Sequence, residues 1–155
     1  MKYLYYYNTP IGKLGLAEEQ GLMTDVCFIN MKAPLYAKIQ ETDTLKEAYR
    51  QICEYLEGSR KEFDIPINPS GDKAHQKVLI DVLRIPYAET ITYKDLGIRH
   101  NMHPRAIGAI VAKNPIPIII PCHRVIGSNG NLTGYNGGLE LKKKLLTLEA
   151  KVWED

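Results

Sequence analysis

Residues 92–115 read TYKDLGIRHNMHPRAIGAIVAKNP and predict two short helices joined by a tight turn. Thr92 is a suitable N-cap for the first helix, which we expect over residues 93–98. Pro104 suits the first position of the second helix, which we expect to end at Lys113. This outline is that of a helix-turn-helix, a motif that DNA-binding proteins share with many proteins that never contact DNA.

The second of these helices carries two different faces. One is an apolar stripe that should face the core, made of Ile107, Ile110 and Val111. The other consists of small residues below a single arginine, namely Arg105, Gly108, Ala109 and Ala112. A solvated helix face usually carries lysine and glutamate, so this stripe indicates either close packing on another helix or close approach to a ligand.

The first part of the chain predicts a small α/β domain. Short strands are expected over residues 2–7 and 22–29, with turns near Gly12 to Gly15 between them. A helix is expected over residues 44–56, ended by Gly58. Its apolar face consists of Leu45, Ala48, Tyr49, Ile52 and Leu56.

Proline and glycine crowd into residues 66–71, which marks the best candidate for a domain boundary. A further amphipathic helix is expected beyond it, over residues 75–83. We therefore predict an α+β fold. A small α/β N-terminal domain, residues 1–69, packs on a mainly helical C-terminal domain, residues 70–155, that contains the helix-turn-helix.

Composition excludes several classes of protein. The chain has 155 residues, of which 45% are hydrophobic and 25% charged, as is typical of a globular protein. No apolar segment is long enough to span a bilayer, and the first residues lack the features of a signal peptide. Three widely spaced cysteines do not form a disulfide framework, and the histidines do not favour a metal site. We expect a monomer in a reducing cytoplasm, without a metal ion.

Charge is distributed unevenly along the chain. Residues 1–69 carry a net charge of −2 and residues 70–155 a net charge of +4, while residues 73–124 alone reach +5. A basic second half is compatible with a polyanionic partner such as nucleic acid, or simply with a solvated charged face.

An apolar run over residues 118–126 predicts a buried strand that carries Cys122, His123 and Arg124 in succession. A free cysteine is often an inert core residue. Alternatively, the two basic neighbours could lower the pKa of the thiol and make it a nucleophile. Because successive residues of a strand point to opposite faces, His123 would reach Cys122 only through a water molecule or a bend.

Pro121-Cys122-His123-Arg124-Val125 resembles the active-site signature of the O6-alkylguanine-DNA alkyltransferases, a family of direct-reversal DNA repair proteins. The resemblance extends in order and spacing over residues 71–150. Its further motifs are Ile85-Pro86-Tyr87-Ala88-Glu89-Thr90, Thr92-Tyr93, Arg105-Ala106-Ile107-Gly108, Asn114-Pro115-Ile116-Pro117, Tyr135-Asn136-Gly137-Gly138-Leu139 and Leu145-Leu146-Thr147-Leu148-Glu149. Ala88 stands where the family usually has glycine, and Asn136 where it usually has serine.

The resemblance implies a catalytic role for five residues. Cys122 would be the nucleophile, His123 would act as its base through a water molecule, and Glu149 would orient the imidazole. Asn114 would brace the turn that carries the cysteine. Tyr93 would donate a proton or hydrogen bond to the purine as it leaves.

The resemblance also implies a DNA-binding surface and a base pocket. Arg105 would enter the base stack and fill the gap left by a flipped nucleotide. The other residues expected at the DNA are Lys94, Ala106, Gly108, Ala109 and Ser128, and those expected to line the pocket are Val125, Tyr135, Asn136 and Gly137.

The function that the resemblance implies is a single transfer of an alkyl group, most often methyl, from O6 of guanine to Cys122. The partner would be double-stranded DNA, contacted in its minor groove, and no cofactor would be needed because the protein itself accepts the group. Two other classes are kept as alternatives: a cysteine hydrolase that uses Cys122 and His123, and a module that binds damaged DNA without reacting.

Overall fold

The computed structural model describes residues 1–130, 132, 135 and 137–154, and it divides into two compact units. The first unit consists of Met1–Ser70 together with Pro115–Ile119. The second consists of Gly71–Asn114 and the chain from Ile120 onward. The short segment Pro115–Ile119, which the sequence assigned to the C-terminal domain, thus groups with the first unit.

The first unit contains a four-stranded sheet of order β3-β2-β1-β4. Its strands are β1 Lys2–Thr9, β2 Gly12–Glu19, β3 Leu22–Phe28 and β4 Lys38–Ile39. The first three are antiparallel neighbours, whereas β4 pairs in parallel with β1. β2 and β3 are joined through Gln20 and Gly21, both at positive φ, as a tight right-twisted hairpin requires. The segment Pro115–Ile119 adds to this unit through a hydrogen bond from Val26 N to Pro115 O of 2.9 Å.

Helix α1, Asp43–Leu56, begins one residue earlier than predicted, after the N-cap Thr42. Leu45, Ala48 and Ile52 are buried as expected. Gln51 is also buried. Its polar amide is satisfied there, because it both donates to and accepts from the backbone of Asp64. The apolar face also differs from the predicted one, because Tyr55 is buried, whereas Tyr49 and Leu56, which were predicted to belong to it, are half-buried.

The second unit is mainly helical, so the predicted α+β class is confirmed. Its elements are α2 Lys73–Leu83, β5 Ile91–Thr92, α3 Tyr93–His100, α4 Pro104–Ala112, β6 Val125–Ile126 and α5 Leu139–Glu154. The two short strands β5 and β6 pair in parallel. Within the described residues, no helix is long and apolar enough to cross a membrane.

α3 and α4 form the predicted helix-turn-helix. Thr92 caps α3 through a 3.0 Å hydrogen bond from Asp95 N, and Pro104 takes the first position of α4. Asn101 ends α3 with φ of 52°, a left-handed conformation that asparagine tolerates. Met102 N donates to Gly97 O at 2.8 Å, and a Cβ on Gly97 would lie 2.5 Å from Met102 O. A glycine is therefore required where the turn crosses α3.

The strand predicted over residues 118–126 is wrong for most of its length. Only Val125–Ile126 is a strand, while Cys122–Arg124 forms one turn of 3₁₀-helix. Pro117 and Pro121 have no backbone N–H to donate to a sheet, and Ile118 has φ of 75°, which turns the chain sharply. The apolar run is buried as expected, but in an irregular segment.

Candidate active site

Cys122 opens the 3₁₀ turn and is 3% exposed. Its backbone N–H donates to Ile120 O at 2.7 Å. The fully buried Asn114 donates from Nδ2 to the same carbonyl oxygen at 3.0 Å. Asn114 and Ile120 are the points where the chain leaves and re-enters the second unit, so this hydrogen bond closes the loop directly before the cysteine.

Burial raises the pKa of the Cys122 thiol to about 11. A hydrogen bond from Asn114 and the positive charge of Lys142 lower the pKa again, but by less than burial raises it. Of the two alternatives that the sequence left open, a thiol made acidic by His123 and Arg124 is therefore not the one found. The resting thiol is protonated at neutral pH.

His123 and Arg124 both bind Glu149, which lies on α5. His123 Nε2 is 2.7 Å from Glu149 Oε2, and Arg124 Nε and Nη2 donate to the two carboxylate oxygens at 2.9 Å each. Arg124 Nη1 also donates to Ile85 O at 2.7 Å. Arg124 thus has a geometric role, holding the carboxylate against the histidine.

The backbone N–H of Ala88 gives Glu149 a further hydrogen bond, of 3.1 Å to Oε1. Ala88 has φ of 65°, the left-handed region, which accounts for the glycine that the family usually has there. Burial alone would raise the pKa of Glu149, but the hydrogen bonds from His123 and Arg124 outweigh it and hold the pKa at about 2. The carboxylate is charged at every physiological pH.

His123 is fully buried, and burial lowers its pKa in spite of the adjacent carboxylate. The ring is therefore neutral near pH 7, the form that accepts a proton. With the ring hydrogen on Nε2, which lies against Glu149, the lone pair of the neutral ring is on Nδ1. Cys122 and His123 lie in a 3₁₀ turn, and a 3₁₀ turn does not place successive side chains on opposite faces as a strand does. The predicted strand would have separated the two side chains, and this turn does not.

Lys142 is a site residue that the sequence analysis did not identify. It is 1% exposed, donates from Nζ to Val125 O at 2.6 Å and lies 3.4 Å from the hydroxyl of the half-buried Tyr93. Burial lowers its pKa, and the Cys122 thiolate would raise it. The available signal was spacing, because Lys142, Leu145 and Glu149 follow one another at i, i+3 and i+7 on one face of α5.

Two of the expected pocket residues adjoin this network. Val125 is fully buried next to the 3₁₀ turn, and the ring of Tyr135 meets that of His123 edge-on, with centroids 6.3 Å apart. Gly137 is half-buried. Asn136, the fourth residue expected there, lies outside the described residues.

The expected DNA-contacting residues lie on the surface of the second unit. Arg105, Ala106 and Ala109 are exposed on α4, whereas Ile107, Ile110 and Val111 are buried, as predicted. Of the small residues in the stripe, Ala109 is exposed, whereas Gly108 and Ala112 are half-buried, so helix packing accounts for only part of it. A Cβ on Gly108 would lie 3.9 Å from the Tyr93 ring, so α4 passes close to that side chain.

A cleft of about 850 Å³ adjoins the helix-turn-helix. Its lining residues are Tyr93, Lys94, Gly97, Ile98, Asn101, Met102, His103, Pro104, Gly127 and Ser128. Lys94 and Ser128 are both exposed at this cleft. Three of the residues predicted for catalysis or DNA binding thus share one opening on the surface.

The other two cysteines have no such surroundings. Burial raises the pKa of Cys27 to about 11, and Cys53 is half-buried on α1. In the part of the chain that the structure describes, no group of three His, Cys, Asp or Glu side chains is arranged to hold a metal ion.

A helix-turn-helix lies in the same unit as a buried thiol that adjoins a His–Glu pair in sequence, a combination typical of a nucleic-acid-binding protein with nucleophilic chemistry. The chain belongs to the 6-O-methylguanine DNA methyltransferase family. The sequence model of that family's ribonuclease-like domain matches residues 1–69, and that of its DNA binding domain matches residues 73–151. The resemblance seen in the sequence is confirmed.

Relatives and solved structures agree with this assignment. The methylated-DNA–protein-cysteine methyltransferase of Methanosarcina acetivorans is 38% identical over 94% of this chain and 98% of its own length. The constitutive enzyme of that name from Bacillus subtilis is 37% identical over 96% of both chains. The crystal structure of Mycobacterium tuberculosis OGT in complex with DNA matches with a TM-score of 0.90, at 34% identity, over 97% of this chain and 94% of that one.

Proposed function

We propose that this protein repairs DNA by transferring an alkyl group from O6 of guanine to Sγ of Cys122, once per molecule. The observation that carries the proposal is the buried Cys122 thiol in a turn that also holds His123 on the Glu149 carboxylate. The relatives' shared description as methylated-DNA–protein-cysteine methyltransferases supports transfer to a protein cysteine. Direct-reversal repair is the activity of the family to which the chain belongs.

The first step is removal of the thiol proton. A water molecule between Sγ and Nδ1 of the neutral His123 would carry the proton to the ring, and Glu149 would stabilise the imidazolium that forms. The thiolate then attacks the alkyl carbon, so an S–C bond forms as the C–O6 bond breaks. The electron pair of that bond passes to the purine.

The departing guanine takes up a proton to become neutral. The Tyr93 hydroxyl is suited to supply a proton or hydrogen bond, because Lys142 Nζ lies 3.4 Å from it and favours negative charge on its oxygen. Lys142 is therefore a positioning residue that connects Tyr93 to the carbonyl of Val125. The thioether on Cys122 is stable, which accounts for one transfer per molecule.

In this proposal the partner is double-stranded DNA, and the protein approaches it through the minor groove. The exposed Ala106 and Ala109 let the backbone of α4 come close to a narrow groove, and the exposed Arg105 is long enough to enter the base stack. Lys94 would contact phosphate. One monomer supplies every residue that the reaction needs.

The test is the intact mass of the protein after incubation with duplex DNA that contains O6-methylguanine. Transfer adds one methylene, about 14 Da, to the peptide that contains Cys122, and repair stops at one equivalent. The Cys122→Ser variant should gain no mass, whereas Cys53→Ser, which alters a half-buried thiol outside the site, should react as the wild type does. Repeated turnover would support a cysteine hydrolase, and binding without loss of the alkyl group from DNA would support a non-reacting module.

A further inference from the structure

The N-cap of helix α4 is a histidine, His103, rather than one of the short polar residues that usually cap helices. His103 has extended backbone angles, and its Nδ1 accepts a 3.0 Å hydrogen bond from the backbone N–H of Arg105. Arg105 is the residue proposed above to enter the base stack.

The whole first turn of α4 depends on this one residue. Pro104 has no N–H, and the carbonyl of His103 accepts from Ala106 N at 2.9 Å and from Ile107 N at 3.2 Å. The imidazole accepts from Arg105 N, which is the first N–H of the helix. His103 therefore accepts the three N–H groups that begin the helix.

We propose that His103 is a positioning residue for Arg105, and that only its neutral ring performs this role. The ring fixes the backbone from which the Arg105 side chain departs, and thereby its approach to a flipped nucleotide. The inference rests on the proposed function, because it concerns a step that only duplex substrate requires.

Protonation would abolish this hydrogen bond. An acceptor at Nδ1 requires the hydrogen to be on Nε2, and a second hydrogen on Nδ1 turns the acceptor into a donor. The imidazolium would also place positive charge at the N-terminus of α4, where the helix dipole disfavours it.

The surroundings of His103 do not compensate for that charge. The cleft that it shares with α3 and the loop after β6 is lined by Lys94, Tyr93 and Ser128, and Arg105 follows on α4 itself. The described residues that line the cleft include no carboxylate.

The experiment compares single-turnover rates on O6-methylguanine duplex and on free O6-benzylguanine, which needs no flipping. His103→Ala should lower the duplex rate roughly fivefold, the equivalent of one lost cap, and leave the free-base rate unchanged. His103→Asn should restore most of the duplex rate, since asparagine also caps helices. Thr42→Ala removes the cap of α1 in the other unit and controls for a general loss of stability.

The ratio of the two rates separates positioning from mere structural support. The ratio of the duplex rate to the free-base rate should be lower for His103→Ala than for the wild type and close to the wild-type value for His103→Asn. An equal ratio in wild type and His103→Ala, an equal loss on both substrates, or a ratio for His103→Asn as low as that for His103→Ala would overturn the inference. If the wild type itself transfers no alkyl group to Cys122, the proposed function fails instead.

Discussion

At the scale of single residues, the proposed reaction requires a proton to be removed from an unfavourable donor. Burial keeps the Cys122 thiol protonated, with a pKa of about 11, and also keeps His123 neutral. His123 and Arg124 hold Glu149 charged. If His123 is the base, as proposed, it is therefore in place before DNA binds, and Cys122 need not be a thiolate at rest.

Removal of the base gives a direct test of this arrangement. We expect His123→Ala to slow transfer roughly 100- to 10,000-fold at neutral pH, because a positioned base contributes about that much. Its rate should then rise about tenfold per pH unit in alkaline solution, since only the thiolate fraction reacts below the thiol pKa of about 11. The wild type should show a weaker dependence over the same range.

Single-turnover rates on free O6-benzylguanine measure this without interference from DNA binding. Affinity for unmodified duplex should be close to that of the wild type, which controls for folding. A His123→Ala variant with the wild-type rate and pH profile would show that another group takes the proton.

At the scale of elements, the helix-turn-helix depends on a close backbone crossing at Gly97. A methyl group on this residue would lie 2.5 Å from Met102 O, so α3 and the turn would have to separate. Gly108, on the exposed side of α4, has room for a methyl group 3.9 Å from the Tyr93 ring. The two glycines serve different purposes, one within the fold and one at its surface.

Alanine substitution should distinguish them. Gly97→Ala is expected to lower the free energy of unfolding by about 1–3 kcal/mol, the usual cost of overpacking, and to weaken DNA binding with it. Gly108→Ala is the matched control and should leave stability unchanged or slightly higher, because alanine favours a helix. Urea denaturation measures both, and equal stability of the two variants would contradict the close crossing.

Arg105 and Lys94 are both proposed to contact DNA but should act differently. Arg105→Ala should slow repair of duplex O6-methylguanine much more than reaction with free O6-benzylguanine, because the free base need not be extruded from a stack. Lys94→Ala should mainly weaken duplex binding and reduce its salt dependence. An equal loss on both substrates in Arg105→Ala would assign that side chain to the pocket or to the fold.

At the scale of the whole molecule, the buried ionic network links catalysis to stability. Glu149 has a pKa of about 2 in the folded protein, against an ordinary value of 4.5. As the pH falls, the Glu149 carboxylate therefore takes up a proton in the unfolded chain before it does so in the folded protein. The stability that Glu149 contributes is therefore complete above about pH 4.5 and is lost between there and about pH 2. The buried, neutral His123 acts in the same direction from about pH 6.5 downward, because the unfolded chain protonates it more readily.

We therefore expect the protein to be destabilised by acid in two stages. The part due to Glu149 is on the order of 3 kcal/mol. The Glu149→Gln variant should be less stable at neutral pH, since Arg124 loses its partner, but its stability should fall less between about pH 4.5 and pH 2. Glu62→Gln, which alters an exposed carboxylate, serves as control. The measurement is the midpoint of urea denaturation as a function of pH. The same pH dependence in both variants would contradict the contribution assigned to Glu149.

Elements whose signals are local could be predicted from the sequence. Thr92 as a cap, Pro104 at the first helical position and the stripe of Ile107, Ile110 and Val111 each depend on neighbours within a turn or two of the chain. For that reason the α+β class and the helix-turn-helix were predictable, whereas the family was predicted from the resemblance of the motif at Cys122 and of those around it. Most strand and helix bounds differed from the structure by one or two residues, but Gly12–Glu19 forms β2, where turns were expected near Gly12 to Gly15.

The chemistry around the cysteine depends on contacts between distant parts of the chain. His123 meets Glu149 across 26 residues of chain, Arg124 meets Ile85 O across 39, and Lys142 meets Tyr93 across 49. The pKa of Cys122 follows from burial, which no pattern of neighbouring residues measures, so the sequence left the direction of its shift open. Partner choice and desolvation are properties of the packed interior, and they exist only once the chain has folded.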